Sequence, residues 1–168
     1  AGYVLWRLGR FREALQQYDA LIAVAPSGFA GYFRKGIALR ALKQPSEAEA
    51  QFRKALDRAP GSPDVLQQLV SLLFERNDRS GAVALLDTHL KKTGRPAALH
   101  HLLGTVYAAM NDRSNAEAQY QRAIDRDKNF LPAYAALGRL YSRDPEKLIA
   151  QYRAMVDAAP ANPSPHTL

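Results

Sequence analysis

The four letters NDRS stand at positions 77–80 and again at 111–114, 34 residues further on. A fixed interval of this size constrains a chain more tightly than composition does. A unit of about 34 residues is too short to bury a core alone, so it must stack on copies of itself. Stepping by 34 from Ala14 reaches Ala48, Ala82 and Ala116. The same step links Tyr18 to Phe52, Leu86 and Tyr120, and Leu21 to Ala55, His89 and Ala123. It links Pro26 to Pro60, Gly94 and Lys128. Gly2, Gly36, Val70, Gly104 and Gly138 form another column, and Leu5, Leu39, Leu73, Tyr107 and Tyr141 a further one. The two NDRS segments therefore occupy the same place in successive units.

Each unit reads as two helices. In the fourth, the first helix is predicted over 97–110, and Ala116, Tyr120 and Ala123 have the spacing of one face of the second. Ser114 with Glu117, and Ser46 with Glu49, match a capping box in which serine and glutamate satisfy exposed amides at a helix start. Pro63, Pro96 and Pro145 suit first-turn positions, where a missing N–H costs nothing. Small residues in the glycine and alanine columns let helices approach, and the Tyr/Phe/Leu column fills the space between them.

This pattern resembles the tetratricopeptide repeat, a 34-residue helix–turn–helix unit with a small residue in each helix and a proline near its end. The segment LGRFREALQQYDALIAVAP, residues 8–26, carries the second half of that motif, and the resemblance extends over nearly the whole chain. It implies an all-α solenoid of stacked helix–turn–helix units forming a right-handed superhelix, with about eleven helices counting end fragments. The expected divisions are a half repeat at 1–26, full repeats at 29–62, 63–96 and 97–130, a shortened repeat at 131–160 and the opening of another at 161–168. Val70, His89 and Lys128 depart from the motif, so the third repeat is expected to pack least ideally. In the shortened repeat, Leu148, Tyr152, Met155 and Pro160 fall two residues early. Asp144 can cap its second helix with Pro145 as first residue, so the loss is expected in the turn and not in the packing face. Both ends read as cut from a longer bacterial array, which would leave Tyr3, Trp6 and Met155 exposed for end-to-end self-association.

Composition narrows the function. The 168 residues hold no cysteine, which excludes disulfides, thiolate nucleophiles and thiolate zinc sites. No run is long and apolar enough for a membrane span. The net charge of +7 allows an anionic partner, yet acidic and basic residues are mixed, as in Arg53, Lys54, Asp57 and Arg58. Clustered basic and aromatic residues of the kind that grip single-stranded nucleic acid are missing, which disfavours that partner. Adjacent His100 and His101 diverge on a helix, and His89 sits in a small-residue column, so neither arrangement reads as a metal site. No phosphate loop or nucleophile motif appears, no cofactor is implied, and no catalytic residue is assigned.

The family resemblance implies non-catalytic binding of a protein or peptide segment in an inner groove lined by the first helices. Carrying that geometry over places Tyr3, Trp6 and Arg7 of the first unit in the groove, followed by Phe33, Ile37 and Arg40. Asp64, Gln67, Ser71, Phe74 and Glu75 come next, then His101, Thr105, Arg139 and Arg143. Aromatics beside arginines are enriched in binding hot spots. Arg139 and Arg143, one helical turn apart, could grip a carboxylate, and the summed charge favours acidic partners. The asparagines lie in or beside turns, so the carboxylate clamp of chaperone-binding relatives is not expected. By family analogy the setting is bacterial cell-envelope or exopolysaccharide assembly, with the periplasm favoured over the cytoplasm. The alternative is an anionic polymer, polysaccharide or nucleic acid, held on a basic surface.

Overall fold

The computed structural model describes residues 2–94 and 96–158. Among these there are ten α-helices and no strand. They are α1 (Gly2–Arg7), α2 (Phe11–Val24), α3 (Phe29–Ala41), α4 (Pro45–Arg58) and α5 (Pro63–Glu75). Then follow α6 (Arg79–Lys92), α7 (Ala97–Ala109), α8 (Arg113–Arg126), α9 (Leu131–Leu140) and α10 (Pro145–Ala158). The expected further fragment at 161–168 and the closing Pro160 lie outside the described residues. The chain divides into two compact units, Ala1–Leu85 and Leu86–Leu168. In the first, each of α1 to α5 packs on its sequence neighbour; in the second, α7 packs on α8, α8 on α9 and α9 on α10, with α7 also meeting α9. No described helix is long and apolar enough to cross a membrane.

The glycine and aromatic columns meet face to face. A Cβ placed on Gly2, Gly36 or Gly104 would come within 2.6, 2.5 or 2.6 Å of the ring of Tyr18, Phe52 or Tyr120 respectively. All three rings are buried. Absence of a side chain is thus what lets each helix pair close on its ring. The third repeat changes both columns together: Val70 takes the glycine position and Leu86 the ring position, and both are buried.

The NDRS turns have a physical reading. Asn77 and Asn111 adopt φ of 59° and 63°, the left-handed conformation that ends a helix, as do Lys43 (59°) and Gly9 (73°) at the same register. The amide of Asp78 donates to Leu73 O at 2.8 Å and that of Asp112 to Tyr107 O at 2.9 Å, the wide bond of a Schellman turn. The aspartate then caps the next helix: Asp112 Oδ1 accepts from the Asn115 amide at 3.1 Å, and Asp78 Oδ1 from the Gly81 amide at 2.9 Å. Both expected capping boxes are therefore misplaced. Ser114 lies inside α8 behind the Asp112 cap, and Ser46 lies inside α4, whose N-cap is Gln44. Pro63 and Pro145 are first helical residues as expected, whereas Pro96 is the N-cap of α7.

At register position 145 the last repeat has proline, whose ring forbids positive φ. The turn is instead closed tightly, with the Asp144 amide donating to Tyr141 O at 2.8 Å, and Asp144 Oδ1 caps α10 through the Lys147 amide at 3.1 Å. The packing face loosens as well, contrary to expectation. A Cβ on Gly138 would stand 3.9 Å from the Tyr152 ring, and Tyr152 is 52% exposed. Met155, expected at an exposed edge, is half-buried against the cluster around Tyr120 and Leu137. The exposed apolar residues of α10 are Ile149, Tyr152 and Val156.

Candidate functional site

Tyr3, Trp6, Phe33, Ile37 and Asp64 share one cavity of about 330 Å³ in the first unit. It forms where α1, α3 and the start of α5 converge. Tyr3 stacks on Trp6, with ring centroids 6.1 Å apart. Trp6 packs its other side on the core of Ala14, Tyr18 and Ala38, and its indole N–H is buried without a partner among the described residues. Phe33 leans on the buried ring of Phe52 at 6.0 Å, so one edge of it is core and the other lines the cavity. The pocket is anchored from behind, which fixes its shape at small entropic cost on binding.

Phe29, Tyr18 and Arg34 also line this cavity and were not read as groove residues. Phe29, Phe33 and Ile37 follow a four-residue spacing along α3, so a helical-face count would have found Phe29. Arg34 and Asp64 put one charge of each sign on a largely aromatic lining.

Other expected groove residues are occupied elsewhere. Arg40 donates to Gln68 Oε1 at 2.6 Å and to Glu75 Oε1 at 2.5 Å, so this arginine and this glutamate neutralise one another. The summed groove charge loses that pair. Ser71 Oγ donates to Gln67 O and Thr105 Oγ1 to His101 O, each at 3.0 Å, spending both hydroxyl hydrogens on their own helices. Gln67 is exposed and Phe74 half-buried on α5, and Arg7 is exposed in the last turn of α1.

In the second unit, His101 is a packing residue. Its ring meets Tyr120 and Phe130, each with centroids 5.6 Å away. Burial pushes its pKa down, the Arg139 charge adds to that, and a hydrogen bond to the Pro132 backbone opposes it. Arg139 is exposed near the end of α9 and lines a small polar cleft with Asn111 and Arg113. Arg143 lies beyond Leu140, in the turn before α10, so the two arginines are not a helical i,i+4 pair. Among the described residues no group of His, Asp and Glu is placed to hold a metal ion.

Arg58 is structural. Its guanidinium lies 4.0 Å from the Tyr32 ring centroid and donates to Pro26 O at 2.7 Å and to Tyr32 Oη at 3.0 Å. It ties the end of α4 to the turn before α3, a role that its place on a second helix did not disclose.

Family models described as tetratricopeptide repeat match residues 1–63, 39–105 and 97–130. Cellulose synthase operon protein C of Pseudomonas fluorescens (strain SBW25) is 31% identical over an alignment of 119 residues that covers 66% of this chain. The chain spans 9% of the length of that relative. The solved structure of MamA superposes with a TM-score of 0.65 at 18% identity, covering 95% of each chain. YrrB, described as a TPR protein with an unusual peptide-binding site, superposes at 0.57 with 19% identity, covering 96% of this chain and 84% of its own. At these identities the structural likeness concerns the fold.

Proposed function

Because the chain belongs to the tetratricopeptide-repeat family, we propose that it is a non-catalytic scaffold that holds a partner segment on its first helices. The carrying observation is the aromatic cavity of about 330 Å³ between α1, α3 and α5, open to solvent yet backed by core residues. Rigid aromatic anchors in a partly desolvated pocket are the usual centres of binding energy. A short segment with one large apolar side chain fits this lining, its flanks meeting Arg34 on one side and Asp64 on the other. The setting proposed is exopolysaccharide assembly in the bacterial cell envelope, supported by the name of the curated relative.

The single tryptophan of the chain lies in this cavity, so its emission reports occupancy directly. Peptides selected from a random display library should shift Trp6 emission on binding. Replacing the exposed anchors, Tyr3→Ser with Phe29→Ser, should weaken them roughly tenfold or more. Selected peptides that leave Trp6 emission unchanged and ignore both substitutions would overturn this reading.

A further inference from the structure

Positions 32, 66, 100 and 134 share one register, and they hold Tyr32, Leu66, His100 and Tyr134. Both tyrosines do the same work. Tyr32 Oη donates to Pro26 O at 3.3 Å, and Tyr134 Oη to Lys128 O at 3.0 Å, each reaching the turn that follows the preceding helix. In the second repeat Arg58 covers the Tyr32 ring. Its register equivalent two repeats on is Arg126, where the ring is replaced by the shorter imidazole of His100 and the carbonyl-bearing Pro26 by Gly94.

The substitution leaves a cavity of about 530 Å³ in the second unit, which shares no lining residue with the aromatic groove. Its floor is buried: His100 Nδ1 lies 2.8 Å from Gln119 Oε1, with Leu90 beside them. An amide oxygen can only accept, so Nδ1 carries the hydrogen, and Gln119 has its amide N–H groups to offer an occupant. The rim carries Lys91, Arg122 and Arg126 with Asp87 and Asp125. Among the described residues, no ion pair or side-chain hydrogen bond engages Lys91, Arg122 or Arg126. Asp125, in contrast, already accepts from Gln121 and Lys128, each at 3.2 Å.

We infer that this cavity is a binding site for an acidic saccharide, either a uronate residue of a polymer or a free sugar acid. Three unpaired cations supply the carboxylate partner, and Arg122 and Arg126, one turn apart on α8, share one helix face. Asp87 and Asp125 would repel a plain polyanion, but a sugar presents hydroxyls that donate to them. An acidic peptide offers those two carboxylates only its backbone N–H groups, against several hydroxyls on one sugar ring, and finds only Leu90 as an apolar anchor. The volume lies within the range of small-ligand sites.

Glucuronate, galactose, polygalacturonate and poly-glutamate are the probes, titrated calorimetrically into the whole chain. Glucuronate should bind with a dissociation constant of about 1 mM or tighter, and galactose much more weakly. Tighter binding of polygalacturonate than of glucuronate identifies the polymer as the source, and equal affinity per site the free acid. Arg122→Gln with Arg126→Gln should weaken glucuronate roughly tenfold. Lys54→Gln with Arg153→Gln, the same charge loss on other exposed sites, should leave it unchanged. His100→Tyr is the sharpest variant, because it restores the tyrosine that stands at this register in positions 32 and 134. It should capture Arg126 as Tyr32 captures Arg58, abolish glucuronate binding and leave the melting temperature no lower. Retained binding in His100→Tyr, equal loss in the two charge pairs, or preference for galactose or poly-glutamate would each overturn the assignment.

Discussion

Gly36 lies against the ring of Phe52, so close that a Cβ on the glycine would stand 2.5 Å from ring atom Cε1. Phe52 is fully buried and cannot retreat into solvent. Gly36→Ala should therefore destabilise the first unit by about 1–3 kcal/mol through overpacking, despite the better helix propensity of alanine. The third repeat suggests the remedy, since it has valine at position 70 and leucine at position 86 in these two columns. Gly36→Val with Phe52→Leu should be less destabilised in chemical denaturation than Gly36→Val alone. Additive losses would show that the two columns do not compensate.

Removal of Arg58 should separate a structural arginine from a decorative one. Arg58→Ala forfeits the bonds to Pro26 O and Tyr32 Oη and the stacking over the Tyr32 ring. The expected cost is about 1 kcal/mol, read as a lower denaturation midpoint. Arg58→Lys should not restore it, because an ammonium cannot cover a ring and serve both oxygens in one planar fork. Arg53, paired only with neighbouring Glu49 on the same helix, should tolerate alanine with little change.

Much of this fold was legible because its determinants are residue identities at a fixed interval. Gly104 and Tyr120 recur as a pair, and no other arrangement explains a small and a large column in constant register. The helix starts were less legible. Ser114-x-x-Glu117 satisfies the capping motif, but Asp112, two residues earlier, is the stronger acceptor and follows directly on the left-handed Asn111. The candidate site was legible only in part. Its aromatic members fall on one face of α3, whereas the engagement of Arg40 by Glu75 depends on a contact 35 residues away that no local pattern encodes.

The left-handed turn residues give a second stability test. Asn111 holds φ of 63°, where glycine is at ease, asparagine is tolerated and a β-branched side chain is strained. Asn111→Gly should leave thermal stability within a few tenths of a kcal/mol, and Asn111→Val should lower it by about 1–2 kcal/mol. Equal stability of the two variants would mean that the turn relaxes out of this conformation.

The half-buried imidazole of His101 couples stability to pH. Its folded pKa lies below the ordinary value of 6.5, chiefly through burial and then through Arg139. Between the folded and unfolded pKa values the unfolded chain takes up the proton and the folded chain does not. Stability is therefore full above about pH 6.5, falls as pH drops through that range, and levels off below the folded pKa. His101→Phe should remove this contribution, so its melting temperature should fall less between pH 7.5 and pH 5.5 than that of the parent. Parallel curves for the two proteins would assign the pH response to other groups.

The charge preference of the aromatic groove rests on fewer residues than the sequence offered. Arg40 and Glu75 cancel within the first unit, leaving Arg34 against Asp64 on the cavity lining and Arg7 in the last turn of α1, next in sequence to Trp6. All three are exposed, so each contact with a partner is screened and modest. Peptides with acidic flanks should bind more tightly than their amidated counterparts by about two- to fivefold at low salt, the difference shrinking at higher ionic strength. Arg7→Gln with Arg34→Gln should erase that difference while leaving the affinity for neutral peptides intact, since the aromatic anchors carry it. Asp64→Asn should widen the difference by removing the opposing charge. If Lys54→Gln with Arg153→Gln erases it equally, the preference belongs to the net charge of the chain and not to this cavity.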